Sequence, residues 1–169
     1  MDTMTAIRTR RSIRKYEDMP IPDGMVREIL DAAMMAPSAG NAQPWQFVVI
    51  NDRAILANLA TIHPYVKMAA KAQLGILICG DLSLEKYQGY WVQDCSAAMQ
   101  NMLLAIHSLG LGAVWTGIYP MENRVAAFAE ELGLPKDVIP LGFAPIGWPA
   151  HQPTAESRFR EDRIHYNTY

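Results

Sequence analysis

Long apolar runs and a strong net charge are both missing from this 169-residue sequence. No apolar run reaches the roughly 18 residues that a membrane-spanning helix needs, and the first residues lack the apolar core of a signal peptide. Fifteen basic and seventeen acidic residues give a net charge of −2, so no overall field attracts nucleic acid or an anionic membrane. We therefore expect a cytoplasmic protein that binds neither.

Cysteine and the common catalytic motifs are scarce as well. Cys79 and Cys95 are the only cysteines, and their spacing predicts free thiols in a reducing compartment. The motifs GxxxxGK[ST], HExxH and GxSxG are absent, and Gly110-Leu-Gly112 lacks the third glycine of a dinucleotide fingerprint. His107 has no partner at metal spacing, which predicts a structural imidazole and no metal site. An enzyme with this sequence would need a cofactor for its chemistry.

The apolar pattern predicts helices and strands mixed in one domain, residues 1–169. We predict helices over 3–12, from Asp23 to before Pro37, over 53–60, 90–109 and 121–132, with a short turn or helix over 65–72. The predicted strands are 45–50, 74–79, 111–119 and 139–148. Of these, 45–50 has the pattern of a buried strand, whereas two prolines place 139–148 at an edge or bend.

Two parts of the chain suggest a partner surface. The helix over 90–109 has one charged residue, Asp94, and its second half is apolar nearly all round, so we expect it at a subunit interface. The tail after Trp148, about residues 149–169, is polar and without periodicity. We expect it to lie across another surface, such as that of a partner subunit.

A polar loop, residues 36–45, separates a predicted helix from a predicted strand. Pro37 and Pro44 fix φ, and Gly40 can adopt a positive φ. Ser38, Asn41 and Gln43 bring donors and acceptors into this short span. The pattern is equally compatible with a ligand-binding loop and with an ordinary connection.

A basic segment, residues 8–16, carries five cationic side chains within eight residues, with Ser12 among them. Guanidinium groups pair bidentately with phosphate oxygens, so the segment predicts a phosphate site. A solvated basic face is the alternative. Arg8 is the arginine least expected to touch a ligand.

Together, Arg-Arg-Ser-x-Arg and Ala-Pro-Ser-x-x-Asn-x-Gln-Pro-Trp resemble the FMN-dependent nitroreductase family. The similarity extends over nearly the whole chain, through Gly-Leu-Gly-Ala and a Gly-Trp-Pro followed by an arginine-bearing tail. The resemblance implies an α+β fold, a nitroreductase-like three-layer α/β/α sandwich with a mixed central sheet. It also implies an intertwined homodimer, with FMN in two clefts at the interface.

The resemblance also implies roles for individual residues. The FMN phosphate and ribityl chain would be held by Arg10, Arg11, Ser12, Arg14 and Arg158. The flavin would be lined from the other subunit by Pro37, Ser38, Ala39, Asn41 and Gln43. A strand end beside the ring would comprise Trp115, Thr116, Gly117 and Ile118, whose backbone N–H groups could stabilise the reduced flavin. Glu156 stands where many relatives have a lysine, and Trp45 and Thr116 could serve packing alone.

The implied activity is NAD(P)H-dependent oxidoreduction in a ping-pong scheme. Hydride passes from NADH or NADPH to flavin N5, and then to an electron-poor small molecule such as a nitroaromatic or a quinone. The flavin carries the chemistry, and no side chain need act as acid or base. The alternatives are a narrower flavin reaction, reductive dehalogenation or dehydrogenation, and a flavin-binding or storage protein with little turnover.

Overall fold

The computed structural model describes all residues, 1–169, and contains five α-helices and six strands. The helices are α1 (Thr3–Thr9), α2 (Asp23–Met34), α3 (Arg53–Ile62), α4 (Trp91–Ser108) and α5 (Glu122–Leu132). The strands are β1 (Tyr16–Glu17), β2 (Trp45–Ile50), β3 (Leu74–Asp81), β4 (Gly112–Ala113), β5 (Thr116–Gly117) and β6 (Val138–Pro149). Short 3₁₀ turns span Ala39–Asn41, Lys67–Lys71 and Glu161–Arg163. No helix combines the length and apolarity that crossing a membrane requires.

The sheet is organised around β6, which pairs with β3 and also with β1, β4 and β5. All of these pairs, and the β2–β3 pair, are antiparallel, so the implied mixed sheet is not what this chain forms. Strand β2 has the predicted bounds but lies at the sheet edge, where Val49 is 40% exposed. The prediction of a buried strand there was wrong because β2 has only one neighbour.

Strand β6 corrects the prediction made from its prolines, since it is a 12-residue central strand. Pro140 lies at the point where the register with β3 shifts, so the regular ladder is already interrupted there. Pro145 faces the break between β4 and β5, and its carbonyl accepts a hydrogen bond from the Tyr16 hydroxyl (2.9 Å). That same break means that residues 111–119 form two short strands and not the single predicted one.

Helices cover both faces of the sheet, which gives three layers. Along β3, Ile76 and Ile78 pack into the core beneath α2 and α4, while Leu77 and Cys79 pack with α3 and α5. Side chains of a strand alternate between its two faces, and burial on both faces explains why β3 is apolar throughout. The α+β fold and its α/β/α layering are therefore confirmed.

Helix boundaries agree with the predictions to within two residues except at the first helix. Helix α4 differs from its predicted range by one residue at each end, and α5 ends at Gly133, whose φ is +61°. Helix α1 stops at Thr9, three residues early, because Arg10 turns to extended backbone (φ −56°, ψ 129°). The basic segment therefore leaves the helix at Arg10, and residues 10–15 form neither helix nor strand.

The tail packs little against its own chain, since residues 150–169 are all exposed. Its aromatic side chains include Phe159 and Tyr166, which are 74% and 82% exposed. The outward-facing positions of α4, which include Gln93, Gln100 and Ser108, carry no charged side chain. The exposed aromatic rings of the tail and the uncharged outer face of α4 are both compatible with contact against another protein surface.

Candidate functional site

The basic segment and the polar loop lie at opposite ends of α4. Thr9 Oγ1 is 2.8 Å from His107 Nε2 near the last turn, and the Ala39 N–H donates to Asp94 Oδ1 (2.9 Å) in the first turn. At 1.5 Å per residue, these two anchor points are about 20 Å apart along the helix axis. The structure therefore does not bring the two predicted parts of the site together within one chain.

The basic segment is fixed across β4 by Ile13. This side chain is buried, and its N–H donates to the Ala113 carbonyl (2.9 Å). A Cβ atom on Gly112 would lie 2.7 Å from Ile13, so glycine is what allows the segment to come so close. Beyond it, the Tyr16 hydroxyl shares its one proton between the carbonyls of Ile13 (2.8 Å) and Pro145 (2.9 Å). The backbone that carries the arginines is therefore held firmly.

One cleft, which we call the anion cleft, lies between the basic segment and the tail and has a volume of about 470 Å³. The structure brings Arg10, Arg11 and Arg158 together there, along with Arg8. Arg11 donates to the backbone carbonyls of Arg8 (3.0 Å), Arg10 (2.8 Å) and Glu156 (3.2 Å). Glu156, which also lines the anion cleft, contributes its backbone carbonyl and forms no ion pair.

The arginines of the anion cleft have no carboxylate partner. The ion pairs of the chain are Arg53–Asp18 and Arg160–Asp162, both elsewhere. Partial burial lowers the pKa of Arg10, and the charges of Arg158 and Arg11 lower it further. A cluster of like charges that is already disfavoured by its surroundings would be stabilised by an anion.

A second cleft, the ring cleft, has a volume of about 450 Å³ and begins where the basic segment reaches Arg14. Trp115, Thr116 and Gly117 line it as the resemblance implies. The Thr116 hydroxyl is directed inward to the Phe143 carbonyl (2.6 Å), which leaves only its backbone for a ligand. Ile118 is fully buried and its N–H donates to Leu141 (3.1 Å), so Ile118 lies outside the cleft surface.

Sequence reasoning missed seven residues that line the ring cleft, among them Tyr65, Lys67 and Arg124. Lys67 lies in the weakly patterned stretch 65–72, and Arg124 lies in an ordinary amphipathic helix. Arg124 donates to the Gly117 carbonyl (3.2 Å), and its guanidinium lies 5.6 Å from the centre of the Tyr65 ring. No local signal marks either cation, because only the fold places them beside β5.

The polar loop is shaped by positive φ angles at Gly40 (57°), Asn41 (53°) and Gln43 (49°). Its polar groups satisfy one another: the Gln43 N–H donates to Ser38 Oγ (3.0 Å), and Gln43 Nε2 donates to Asn41 Oδ1 (3.1 Å). Lys86 donates to the Gly40 carbonyl (2.6 Å). Positive φ at non-glycine residues costs free energy and persists where surrounding contacts enforce it. The loop is therefore preformed.

Neighbouring residues of the loop separate into packing and site positions. Trp45 is buried in the core, which supports its role as an anchor. Pro37 is exposed and Ala39 is half-buried, so both reach the surface.

The two cysteines, Cys79 and Cys95, are buried free thiols, and burial raises the pKa of each to about 12. Neither thiol has the properties of a nucleophile.

These features define an α/β/α protein with two clefts lined by cationic side chains, the anion cleft and the ring cleft. Comparison with known sequences then identifies the family. The nitroreductase family pattern matches residues 7–75 and 64–148. A Methanothermobacter thermautotrophicus protein, provisionally named NADH dehydrogenase/NAD(P)H nitroreductase, is 51% identical over 98% of this chain and 86% of its own length. The chain belongs to the nitroreductase family.

Solved structures agree with this assignment. A Parabacteroides distasonis protein with the same provisional name has a TM-score of 0.95 and 37% identity, covering 99% of this chain and 98% of its own. A Desulfovibrio desulfuricans protein, provisionally named a nitroreductase and solved in complex with FMN, has a TM-score of 0.85 and 32% identity. That comparison covers 100% of this chain and 99% of the other. The nitroreductase fold is thus shared along the whole chain.

Proposed function

We propose that this protein is an FMN-dependent oxidoreductase that uses NADH or NADPH. It moves hydride by way of flavin N5 to an electron-poor acceptor of the nitroaromatic or quinone type, in a ping-pong scheme. The observation that carries this proposal is the convergence of Arg10, Arg11 and Arg158 on one cleft without any carboxylate partner. Membership of the nitroreductase family and the FMN complex of a relative support it.

The residues of the anion cleft and the ring cleft fit FMN chemically. A phosphate monoester carries up to two negative charges, which three guanidinium groups can balance. Arg10 and Arg158 would supply the forked donors, because Arg11 already donates to three backbone carbonyls. Arg14 lines the ring cleft, and Ser12, which is half-buried, precedes it in the basic segment. Both would contact the ribityl chain. The ring cleft adjoins Arg14, and its glycine at position 117 leaves open space beside the strand end. The anion cleft would thus take the phosphate of FMN, and the ring cleft would take its ring.

The chain's own residues would bind FMN, orient its ring and exclude water from it. FMN, when bound, supplies the redox chemistry, so no acid or base is required from the protein. The arginines would fix the phosphate and thereby the position of the ring. Trp115, which packs over Gly142, would form a rigid wall beside it. The backbone of Thr116 and Gly117 would border the ring, as predicted.

We further propose that a second copy completes each site. The polar loop lies about 20 Å along α4 from the basic segment of its own chain. In a homodimer, the partner would supply the loop residues Pro37, Ser38, Ala39, Asn41 and Gln43. The uncharged outer face of α4 would lie at the interface, and the tail, about residues 149–169 of the single domain 1–169, would pack on the partner. Buried free thiols fit a cytoplasmic enzyme.

An absorption spectrum of the purified protein tests the function directly. We expect a flavin band that bleaches under anaerobic conditions on addition of NADH or NADPH and returns when a quinone or nitroaromatic is added. If no flavin copurifies and added FMN does not bind, the proposal is wrong. If flavin binds but neither nucleotide reduces it, that result favours the flavin-storage alternative or a different electron donor. Sedimentation of the same sample tests the dimer.

A further inference from the structure

The ring cleft is strongly cationic. Arg14, Lys67 and Arg124 line it, and its other lining residues include neither aspartate nor glutamate. None of the three cations belongs to an ion pair. An oxidised flavin ring is neutral and needs no such charge. The composition of the cleft therefore suits a ring that becomes negative during the reaction.

Arg124 is held in place from several sides. Its Nη1 donates to the Gly117 carbonyl (3.2 Å), and Tyr65 lies under the guanidinium at 5.6 Å. The Tyr65 N–H donates to His63 Nδ1 (3.1 Å), so the proton of this buried imidazole is on Nε2, which donates to the same Gly117 carbonyl (2.9 Å). The charge of Arg124 is therefore fixed at the strand end that borders the ring.

We propose that Arg124 belongs to the cofactor site and that its positive charge favours the reduced form of the bound flavin. This inference rests on the proposed function. Reduction adds two electrons and one proton to the ring, which then carries one negative charge. A cation that is already in position stabilises the charged form and leaves the neutral form almost unaffected. Arg124 would thus tune the cofactor without holding its phosphate.

The test measures the midpoint potential of bound FMN by anaerobic reductive titration against a reference dye. In Arg124→Gln we expect the affinity for oxidised FMN to stay within about twofold of wild type, because the phosphate contacts remain. The affinity for reduced FMN should fall about tenfold, which for a two-electron couple lowers the potential by about 30 mV. Arg124→Lys should keep most of the wild-type potential, since it keeps the charge.

Two further variants separate charge from packing. Arg27→Gln removes one charge from α2, on the opposite face of the sheet, and should leave the potential unchanged. Tyr65→Leu removes the stacked ring but keeps the Arg124 charge, and should shift the potential less than Arg124→Gln does.

An Arg124→Gln potential equal to wild type would overturn the inference, as would an Arg124→Lys shift as large as that of Arg124→Gln. Failure of the wild-type protein to bind FMN would instead refute the proposed function, before any variant is compared.

Discussion

The polar loop and the basic segment are anchored at the two ends of one helix. The polar groups of the loop have hydrogen-bond partners within the chain, whereas the arginines of the segment have no anionic partner. In the loop, Gln43 forms hydrogen bonds with Ser38 and Asn41, and Asp94 accepts a hydrogen bond from the Ala39 N–H. In the basic segment, Arg10 lies beside the like charges of Arg158 and Arg11 and forms no ion pair. The loop is complete within its own chain, whereas the segment is completed only by an anion. Substitutions should therefore damage stability at one end and binding at the other.

The largest effect is expected at the anion cleft. Replacing Arg10 and Arg158 together by glutamine should weaken FMN binding at least a hundredfold, since each charged hydrogen bond contributes about 1.5–3 kcal/mol. The unliganded variant should be no less stable than wild type, because like-charge repulsion is removed. Quenching of FMN fluorescence measures the affinity, and thermal unfolding measures the stability.

Arg160→Gln is the matched control, because Arg160 is exposed in the same tail and is paired with Asp162 (2.6 Å). We expect its FMN affinity to equal that of wild type. An equal loss in the control and the double variant would show that the tail responds to any loss of charge, and the distinct role given to the anion cleft would be withdrawn.

The opposite end of α4 should respond through stability. Asp94→Ala leaves the half-buried Ala39 N–H without its acceptor and should cost about 1–3 kcal/mol of unfolding free energy. Asp94→Asn retains an oxygen acceptor and should cost less. Chemical denaturation of the FMN-free protein compares the two. Equal stability of Asp94→Ala and wild type would contradict the view that the loop is held from α4.

Gly112→Ala tests how firmly the basic segment is positioned. The added Cβ would lie 2.7 Å from Ile13, so the segment must shift, at a cost of about 1–3 kcal/mol. We expect a lower melting temperature together with weaker FMN binding. Gly24→Ala is the control, because a Cβ there meets nothing within 4 Å. Should Gly112→Ala bind FMN like wild type, the segment is not positioned through Ile13.

The smallest effect concerns His107, which lies beside the basic segment. Partial burial, followed by the charges of Arg10 and Arg11, lowers the pKa of His107 from its ordinary value of 6.5. As pH falls below about 6.5 the unfolded chain takes up this proton first, so stability declines until pH passes the folded-state pKa. An anion in the cleft offsets the arginine charges and should raise the pKa of His107.

NMR titration with and without inorganic phosphate measures that pKa, with His107→Gln used to assign the resonance. The same variant should remove part of the loss of stability below pH 6.5. A pKa of His107 that does not change when phosphate binds would mean that the arginine charges do not govern this imidazole.

Local pattern was sufficient for most elements of the fold. The ranges of α4, β2 and the end of α5 at Gly133 follow from apolar spacing and from one glycine. The sequence pattern gave a wrong prediction where the position of a proline is made possible by strands far away in the sequence. Pro140 and Pro145 indicated an edge strand, but a register shift and the gap between β4 and β5 accommodate them in the central strand.

The candidate site divides in the same way. Arg10, Arg11 and Arg14 stand in one dense segment, so their clustering was visible in the sequence. Lys67 and Arg124 are isolated cations more than 40 residues from that segment, and only the fold brings them beside Gly117. The cofactor contacts themselves stay predictions until FMN is seen in the site.

Because Asp94 and His107 anchor the loop and the basic segment at opposite ends of α4, each site of the proposed homodimer draws on both chains. This arrangement has a genetic consequence. A chain damaged at Arg10 still offers an intact loop, and a chain damaged at Asn41 still offers an intact basic segment. When the two inactive chains pair, one site of the heterodimer receives both defects and the other receives none. Coexpression of two dead variants should therefore restore activity, which two damaged copies of a site contained within one chain could not do.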